Sequence, residues 1–183
     1  MSSSPSPGVT VFLTGLSGAG KSTIADALVA GLEADGRTVT VLDGDVVRTH
    51  LSSELSFSRE HRDLNIRRIG WVAGEVVRHG GIVVVAAIAP YEAAREEARK
   101  LVEEHGRFVL VHLSTPLEVC EQRDVKGLYA RARAGALPAF SGVSDPYEPP
   151  ERPELVIDTS VTPLPEAVAR IRAAMEGDTA HRG

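Results

Sequence analysis

Residues 15–22 read G-L-S-G-A-G-K-S, after the apolar run 9–14 and before a segment of helical period. The glycines allow successive backbone N–H groups to turn toward one anion, and the following helix adds its positive N-terminal end. Lys21 supplies a mobile charge, and the Ser22 hydroxyl can ligate Mg²⁺. A glycine-rich turn alone would need neither Lys-Ser at its end nor this spacing. The segment therefore predicts a phosphate-binding loop for a nucleoside triphosphate and its metal.

The bulk composition predicts one domain over residues 9–176, because 183 residues with 43% hydrophobic content can bury one substantial core. The net charge of −5 disfavours general attraction to nucleic acid or to anionic lipid. The single cysteine, Cys120, excludes an internal disulfide. Its simplest interpretation is a small buried apolar residue.

The chain shows no targeting or membrane signal. Residues 1–8 are rich in Ser and Pro and lack the basic and apolar regions of a secretory signal, so a disordered leader is expected. Residues 177–183 are expected to form a frayed tail. The longest apolar stretch, 82–89, is far shorter than the roughly 20 residues of a membrane helix. These features favour a cytoplasmic protein without a membrane partner.

Short β-branched runs alternate along the chain with longer segments of helical period. The predicted strands are 9–14, 38–42, 82–87, 108–113 and 155–157, and the predicted helices are 23–34, 59–79, 93–105 and 164–175. This alternation predicts an α/β fold, with a parallel five-stranded sheet and helices on both faces. Ligands of such sheets gather at the carboxyl ends of the strands. The site is therefore expected in the loops 15–22, 43–45, 88–91 and 158–159.

One segment, 123–153, departs from the alternation. It is long, rich in Gly and Pro, and carries four basic residues close together, namely Arg123, Lys126, Arg131 and Arg133. Such a segment is expected to be a basic lid that closes over phosphates and excludes water. The alternative is a solvated basic helix face.

Two carboxylates follow the second strand, opposite the phosphate-binding loop. Asp45 is interpreted as the base that accepts the proton of an attacking hydroxyl, and Asp43 as a ligand of Mg²⁺, either directly or through water. Either residue could instead cap a helix that begins near Val46. Further along, Phe57 and several polar residues are typical of a pocket that binds an anionic group and a nucleobase. Arginines on helices, however, more often form surface salt bridges. These polar residues are Arg48, Arg62, Asn65, Arg67 and Arg68.

The motifs together resemble the adenylyl-sulfate (APS) kinases. The matching blocks are G-L-S-G-A-G-K-S-T (15–23), L-D-G-D-V-V-R (42–48), F-S-R-E-H-R-D-L-N-I-R-R-I-G (57–70), A-I-A-P-Y (87–91), P-L-E-V-C-E-Q-R-D-V-K-G-L-Y-A-R-A-R-A-G (116–135) and F-S-G-V-S-D-P-Y-E (140–148). The first block is shared by many ATP-binding families. D-G-D-x-x-R, N-I-R-R-I-G and R-D-x-K-G-L-Y together are much more selective.

The resemblance implies a P-loop kinase that transfers the γ-phosphate of ATP to the 3′-hydroxyl of APS, giving 3′-phosphoadenylyl sulfate (PAPS) and ADP in sulfate assimilation. Lys21 and Asp45 would be catalytic. The implied ATP contacts are Gly15, Ser17, Gly18, Ala19, Gly20, Lys21, Ser22, Thr23 and Arg123. The implied APS contacts are Asp45, Arg48, Phe57, Arg62, Asn65, Ile88, Lys126 and Phe140. The implied metal ligands are Ser22 and Asp43, with Mg²⁺ arriving with ATP. In the family, the phenylalanines at the positions of Phe57 and Phe140 sandwich the adenine of APS. The guanidinium at the position of Arg123 stacks on the adenine of ATP.

Three positions depart from the family pattern. Ser56 and His61 stand where the family usually has Gly and Asp, and both adjoin the implied APS pocket. Ala89 stands where many relatives have a serine proposed to carry phosphate. Because alanine has no hydroxyl, direct in-line transfer is expected, with charge neutralised by Lys21, Mg²⁺ and lid arginines.

The resemblance also implies a homodimer and a functional coupling to an ATP sulfurylase. Two other functions are open at this point: a kinase of the same fold acting on another small-molecule hydroxyl, and a nucleotide-binding switch without turnover. The absence of an Asn-Lys-x-Asp guanine-reading motif disfavours the switch.

Overall fold

The computed structural model of the protein describes residues 7–177. The strands are β1 (Val9–Gly15), β2 (Val39–Asp43), β3 (Ile82–Ala86), β4 (Arg107–Leu113) and β5 (Leu155–Ile157). The helices are α1 (Lys21–Ala34), α2 (Gly44–His50), α3 (Arg59–Arg78), α4 (Glu92–Glu103), α5 (Leu117–Arg123), α6 (Leu128–Arg133) and α7 (Leu164–Glu176). Residues 1–6 of the predicted leader and 178–183 of the predicted tail lie outside the described residues.

The strands form one parallel sheet in the order β2-β3-β1-β4-β5. The central strand β1 pairs with β3 on one side and β4 on the other, and all seven of its residues are buried. Since all pairs are parallel, the carboxyl ends of the strands lie at one edge of the sheet. The predicted five-stranded parallel sheet is confirmed.

Side chains of β1 alternate between two apolar layers, because successive residues of a strand point to opposite faces. Val11 and Leu13 belong to the layer that contains the buried residues of α1 and α7, while Phe12 belongs to the layer of α3 and α4. Helices α3 and α4 approach closely where Gly70 meets Ala98, since a Cβ at Gly70 would lie 2.7 Å from the Ala98 Cα. Helices therefore cover both faces, as predicted.

The predicted strands and long helices end within about two residues of the observed ones, an ordinary margin for boundaries. The segment 123–153, to which the sequence analysis assigned no helix bounds, contains α6. Helices α5 and α6 have 7 and 6 residues, too short for a clear helical period in the sequence. In the stretch 7–177, no helix is long and apolar enough to cross a membrane.

Candidate active site

The loop between β1 and α1 has a backbone that only glycine adopts readily. Gly20 precedes α1 with φ of 102°, and Gly18 has φ of 78°. A Cβ at Gly18 would also lie 2.9 Å from the Cys120 carbonyl oxygen of α5. Both glycines are therefore required where the loop wraps the N-terminus of α1, the part of a helix that attracts phosphate.

The Lys21 ammonium group folds back over this loop. Its Nζ donates to the carbonyl oxygens of Gly15 at 2.9 Å and Leu16 at 2.8 Å. Desolvation of the ammonium lowers the pKa of Lys21 from 10.5 to about 8, and the nearby charge of Lys126 acts in the same direction. Asp43 and Asp45 partly oppose the shift. A phosphate group at the loop would restore the charged form of the lysine.

A network of hydroxyl groups supports the loop from behind. Thr159, which follows β5, donates from Oγ1 to the Ala19 carbonyl oxygen at 2.8 Å, and its Oγ1 lies 2.8 Å from that of Thr115. Arg123 donates to Thr159 Oγ1 at 2.9 Å and to the Gly18 carbonyl oxygen at 3.1 Å. The guanidinium of Arg123 is thus held at the rim of the loop. The sequence indicated Thr159 only as part of a strand-end loop, with no role for its side chain.

Tyr129 is a further support that the sequence analysis missed, although it lies in the K-G-L-Y block. This tyrosine is buried on α6, and its hydroxyl donates to the Ser17 carbonyl oxygen at 2.8 Å. Burial raises the pKa of Tyr129, so the phenol stays protonated and keeps its donor. The lid segment therefore holds the phosphate-binding loop directly.

Asp43 and Asp45 have different surroundings at the end of β2. Asp43 caps α2: its Oδ1 accepts from the backbone N–H of Asp45 at 2.9 Å and of Val46 at 3.3 Å. The capping alternative thus holds for Asp43, and the helix begins at Gly44 rather than near Val46. The Asp45 carboxylate is exposed and forms an ion pair with Lys126 Nζ. Asp45 and Lys126, both predicted to contact APS, are thereby brought together.

A cavity of about 530 Å³ joins these groups at the carboxyl edge of the sheet. The predicted residues that line it are Ser17, Gly18, Gly20, Lys21, Ser22, Thr23, Asp43, Asp45, Ile88, Arg123 and Lys126. Thr162 and Leu164 also line it and were not predicted. Gly15 and Ala19 are buried in the loop behind the wall. The predicted donor side and the carboxylates opposite thus share one cleft.

Five predicted APS contacts lie outside this lining, namely Arg48, Phe57, Arg62, Asn65 and Phe140. The Arg48 guanidinium carbon lies 4.3 Å from the centre of the Phe57 ring, which is 62% exposed. Arg48 also donates to the carbonyl oxygens of Leu55 and Ser56, at 3.3 and 3.2 Å. Arg48 and Phe57 therefore form one unit outside the cavity lining.

Arg62 connects α3 to the far end of the lid. Its guanidinium donates to Ser141 Oγ at 3.2 Å and to the Ala139 carbonyl oxygen, and it lies 3.4 Å from an Asp145 carboxylate oxygen. Phe140, in the same lid segment, packs edge-on against Tyr129 with ring centres 5.1 Å apart. The N–H groups of Arg62 thus donate hydrogen bonds to other residues of the protein.

Asn65 is 5% exposed, and its side-chain Oδ1 has no hydrogen-bond partner within residues 7–177. A buried amide without a partner is costly in a folded protein. The atom is thus available to a donor on a ligand.

Four further arginines that the sequence analysis named lie on the surface, and three of them form ion pairs. Arg67 pairs with Glu97 at 3.2 Å and Arg68 with Glu54 at 2.6 Å. Arg133 pairs with Glu121 at 2.8 Å, and Arg131 is exposed. For these four arginines, the salt-bridge and solvated-face alternatives are supported. Of the basic lid residues, only Arg123 and Lys126 line the cavity.

The loop after β3 is fixed by a fully buried arginine that the sequence analysis missed. Arg95 on α4 donates to the Ala89 carbonyl oxygen at 2.6 Å and to the Glu148 carbonyl oxygen at 2.6 Å, and it pairs with Glu92. Thr14 donates to the neighbouring Ile88 carbonyl oxygen at 2.6 Å. This positions Ile88 at the cavity, although Ala89 has an unfavourable φ of 46°.

No group of three or more His, Cys, Asp or Glu side chains that could hold a metal occurs between residues 7 and 177. The oxygen ligands near the phosphate-binding loop are Ser22 and Asp43, which both line the cavity. Both cap bonds of Asp43 use Oδ1, which leaves Oδ2 for a metal-bound water. Oxygen ligands of this kind suit Mg²⁺ that is held mainly by phosphate and water.

The chain is similar to characterised kinases over most of its length. The family model for adenylylsulphate kinase matches residues 7–158. An adenylyl-sulfate kinase of Microcystis aeruginosa is 57% identical over 164 residues, which are 90% of this chain and 89% of that protein. A sulfate adenylyltransferase of Phaeosphaeria nodorum is 51% identical over 170 residues, but this chain corresponds to only 30% of it.

Solved structures agree with these sequences. The Mycobacterium tuberculosis APS kinase, solved in complex with AMPPNP and APS, superposes with a TM-score of 0.90 at 39% identity, covering 94% of this chain and all of that one. A hexameric APS kinase from Thiobacillus denitrificans is 45% identical with a TM-score of 0.71, covering 94% of this chain and 30% of that one. With the cleft, its phosphate-binding loop and these matches all in agreement, the chain belongs to the adenylylsulphate kinase family.

Proposed function

We propose that the protein transfers the γ-phosphoryl group of ATP to the 3′-hydroxyl of APS, giving ADP and PAPS. The observation that carries this proposal is the cavity in which the phosphate-binding loop faces Asp45 and Lys126. A donor cradle and a carboxylate on opposite walls of one cleft are what phosphoryl transfer to a hydroxyl requires. Family membership supplies the identity of the acceptor.

On the donor side, the backbone N–H groups of the loop and Lys21 hold the β- and γ-phosphates. Binding of the triphosphate draws the Lys21 ammonium away from the Gly15 and Leu16 carbonyl oxygens that it contacts in the free protein. Arg123, fixed by Thr159 and Gly18, lies at the rim where the adenine of ATP would stack on its guanidinium plane. Ser22 and Asp43 would hold Mg²⁺, which neutralises phosphate charge when it is bound.

On the acceptor side, Asp45 accepts the proton of the 3′-hydroxyl as the new bond to phosphorus forms. Its ion pair with Lys126 must open or shift for this, and an anionic substrate gives the lysine an alternative partner. Arg48 and Phe57 form the outer wall for APS, and Arg62 and Phe140 contribute from α3 and the lid. The Asn65 Oδ1 atom, which has no hydrogen-bond partner within residues 7–177, supports a ligand nearby, because a donor group of APS would supply the missing hydrogen bond.

Transfer is direct from ATP to the acceptor. Ala89 occupies the strand-end position where a serine could carry phosphate, and its methyl group cannot be phosphorylated. Closure of the lid over the bound substrates would exclude water, which limits wasteful hydrolysis of ATP. Detection of an obligatory covalent phosphoprotein would contradict this route.

The decisive experiment is incubation of the purified protein with Mg·ATP and APS, followed by identification of the nucleotide products. Equal amounts of ADP and PAPS are expected. Formation of ADP without PAPS would refute the proposal and favour another acceptor hydroxyl.

The role of Asp45 is tested with Asp45→Ala and the isosteric Asp45→Asn. Both are expected to reduce kcat by about 10²–10⁴-fold, the usual worth of general-base catalysis, while Mg·ATP still binds. Asp35→Asn is the matched control, because this exposed carboxylate pairs with Arg172 and does not line the cavity. Unchanged turnover in both Asp45 variants would refute the assignment.

We further propose that the protein is a cytoplasmic homodimer that works with an ATP sulfurylase. The sulfate adenylyltransferase relative, of which this chain matches only 30%, supports the coupling, because a sulfurylase reaction would supply APS. The hexameric relative makes a larger assembly the competing outcome. Sedimentation velocity of the full chain distinguishes a dimer from a hexamer, and co-sedimentation with a sulfurylase tests physical association.

A further inference from the structure

Ser56 and His61, the two residues that depart from the family pattern, contact each other. The His61 imidazole Nδ1 accepts a hydrogen bond from the Ser56 backbone N–H at 2.9 Å. The Ser56 hydroxyl lies 2.8 Å from the same nitrogen and accepts from the Ser58 N–H at 3.3 Å. His61 is half-buried in the first turn of α3, where Ser58 caps the helix. The pair thus connects the start of α3 to the loop 51–58.

The backbone donor fixes the state of the imidazole. An N–H group can only donate, so Nδ1 must be the unprotonated nitrogen, and the ring proton must lie on Nε2. Protonation of His61 would put a second N–H against that of Ser56 and abolish this bond. The Ser56 hydroxyl could then accept from Nδ1, but the backbone N–H would lose its partner.

The backbone segment that His61 contacts, at Ser56, also accepts hydrogen bonds from Arg48, one of the residues assigned to APS. Arg48 donates to the carbonyl oxygens of Leu55 and Ser56, and its guanidinium lies over the Phe57 ring. The other end of the loop is held separately by Arg68, which donates to the Leu51 carbonyl oxygen at 3.0 Å. A change at His61 therefore reaches Arg48 and Phe57 first.

We propose that His61 is a positioning residue for the APS pocket, and that its neutral imidazole keeps Arg48 and Phe57 in place through the Ser56 backbone. This inference rests on the proposed function, because it assigns these two residues to APS. Its consequence is that protonation of His61, which removes the acceptor of the Ser56 N–H, weakens APS binding. Histidine is the side chain whose charge changes most readily near neutral pH.

Three charged groups belong to the same loop region as His61. Glu54 is close enough for the charge on His61 to act on it, Arg68 pairs with Glu54, and Arg48 contacts the Ser56 carbonyl oxygen, while Glu60 is adjacent in the chain. Glu54 is engaged by Arg68 at 2.6 Å, and this hydrogen bond is the first cause of its lowered pKa, to which the charge on His61 adds a smaller contribution. Because the pKa of Glu54 is lowered, its carboxylate stays charged when His61 is protonated. The contact that protonation changes is therefore the one between His61 and Ser56.

The test compares His61→Asp with the wild-type enzyme between pH 7.5 and 5.5. Aspartate supplies an acceptor that stays ionised over this range, so it keeps the bond to the Ser56 N–H at both pH values. The KM for APS, measured at saturating Mg·ATP, is expected to rise about threefold to tenfold in the wild type, the worth of one hydrogen bond. In His61→Asp it should change less than twofold. His79→Asp, the same change at the other end of α3, should behave as the wild type.

An NMR measurement of the wild-type imidazole gives a second test that needs no variant. The neutral ring of His61 is expected to carry its proton on Nε2 at pH 7.5, and a proton on Nδ1 would overturn the inference. Equal pH dependence of the APS KM in wild type, His61→Asp and His79→Asp would also overturn it while leaving the proposed function intact. Failure of all three proteins to phosphorylate APS at pH 7.5 would instead refute the proposed function, and this inference with it.

Discussion

Lys21 offers a prediction in which the pH dependence of ATP binding can be worked out from the structure. In the free protein, the loop desolvates the ammonium group and lowers its pKa to about 8. The triphosphate brings negative charge to the same nitrogen, so the complex favours the protonated form. Binding must therefore take up a proton whenever the free lysine is neutral.

The size of the uptake follows from the fraction of neutral lysine. With a pKa of about 8, binding should take up about 0.1 proton at pH 7, about 0.5 at pH 8 and about 0.9 at pH 9. Because only the charged form binds well, the affinity for Mg·ATP should be about tenfold weaker at pH 9 than at pH 7. The sign is fixed: affinity is fully present below the lowered pKa and is lost as pH rises through it.

The assay is titration calorimetry at pH 8 in buffers with different ionisation enthalpies, since proton uptake makes the observed enthalpy depend on the buffer. The control is Lys21→Arg, because guanidinium stays charged throughout and can take up no proton. A wild-type enthalpy independent of the buffer, or an equal buffer dependence in Lys21→Arg, would refute the assignment of the uptake to this lysine.

Two predictions concern stability. Arg95→Met removes a fully buried guanidinium from Glu92 and from two carbonyl oxygens, and it should lower the free energy of unfolding by about 3–5 kcal/mol. Arg152→Ala breaks an ion pair at a side chain that is 75% exposed and should cost less than about 1 kcal/mol. Thermal unfolding of the two variants checks this, and equal losses of stability would contradict it. Gly70→Ala places a methyl group between α3 and α4 and should lower the free energy of unfolding in urea by about 1–3 kcal/mol. Gly31→Ala in α1 should be neutral or stabilising, because the nearest atom to the new methyl group is the flexible tip of Arg172 at 3.3 Å. A neutral Gly70→Ala would show that α3 and α4 can separate without cost.

Local patterns were sufficient for the sheet and for the loop that follows its first strand. Strands β1 and β3 are buried along their whole length, and β3 is apolar throughout, because both faces of a parallel sheet are covered. The short helices α5 and α6 were missed because two turns show no clear period. The segment 123–153 was identified as an exception to the alternation, but the bounds of its helix were not.

Individual contacts of the site were less predictable than its location. Asp45 and Lys126 were each assigned to the acceptor, but their pairing across 81 residues of sequence depends on how the lid folds back. Burial of Arg95 under the Ala89 loop could not be anticipated, because an arginine on an amphipathic helix is normally exposed. Both outcomes depend on the packing of segments far apart in the chain.

The sequence by itself determined the five strands, the four long helices, the phosphate-binding loop and the family, because these depend on residue types at fixed local spacing. Only the tertiary structure decided that Arg62 contacts the lid, that Thr159 and Tyr129 support the loop, and that Ser56 and His61 share a hydrogen bond. The first three contacts join segments far apart in the chain and form only after the fold has brought those segments together. The last contact is local, but it depends on how the loop 51–58 turns into α3, which spacing alone does not fix.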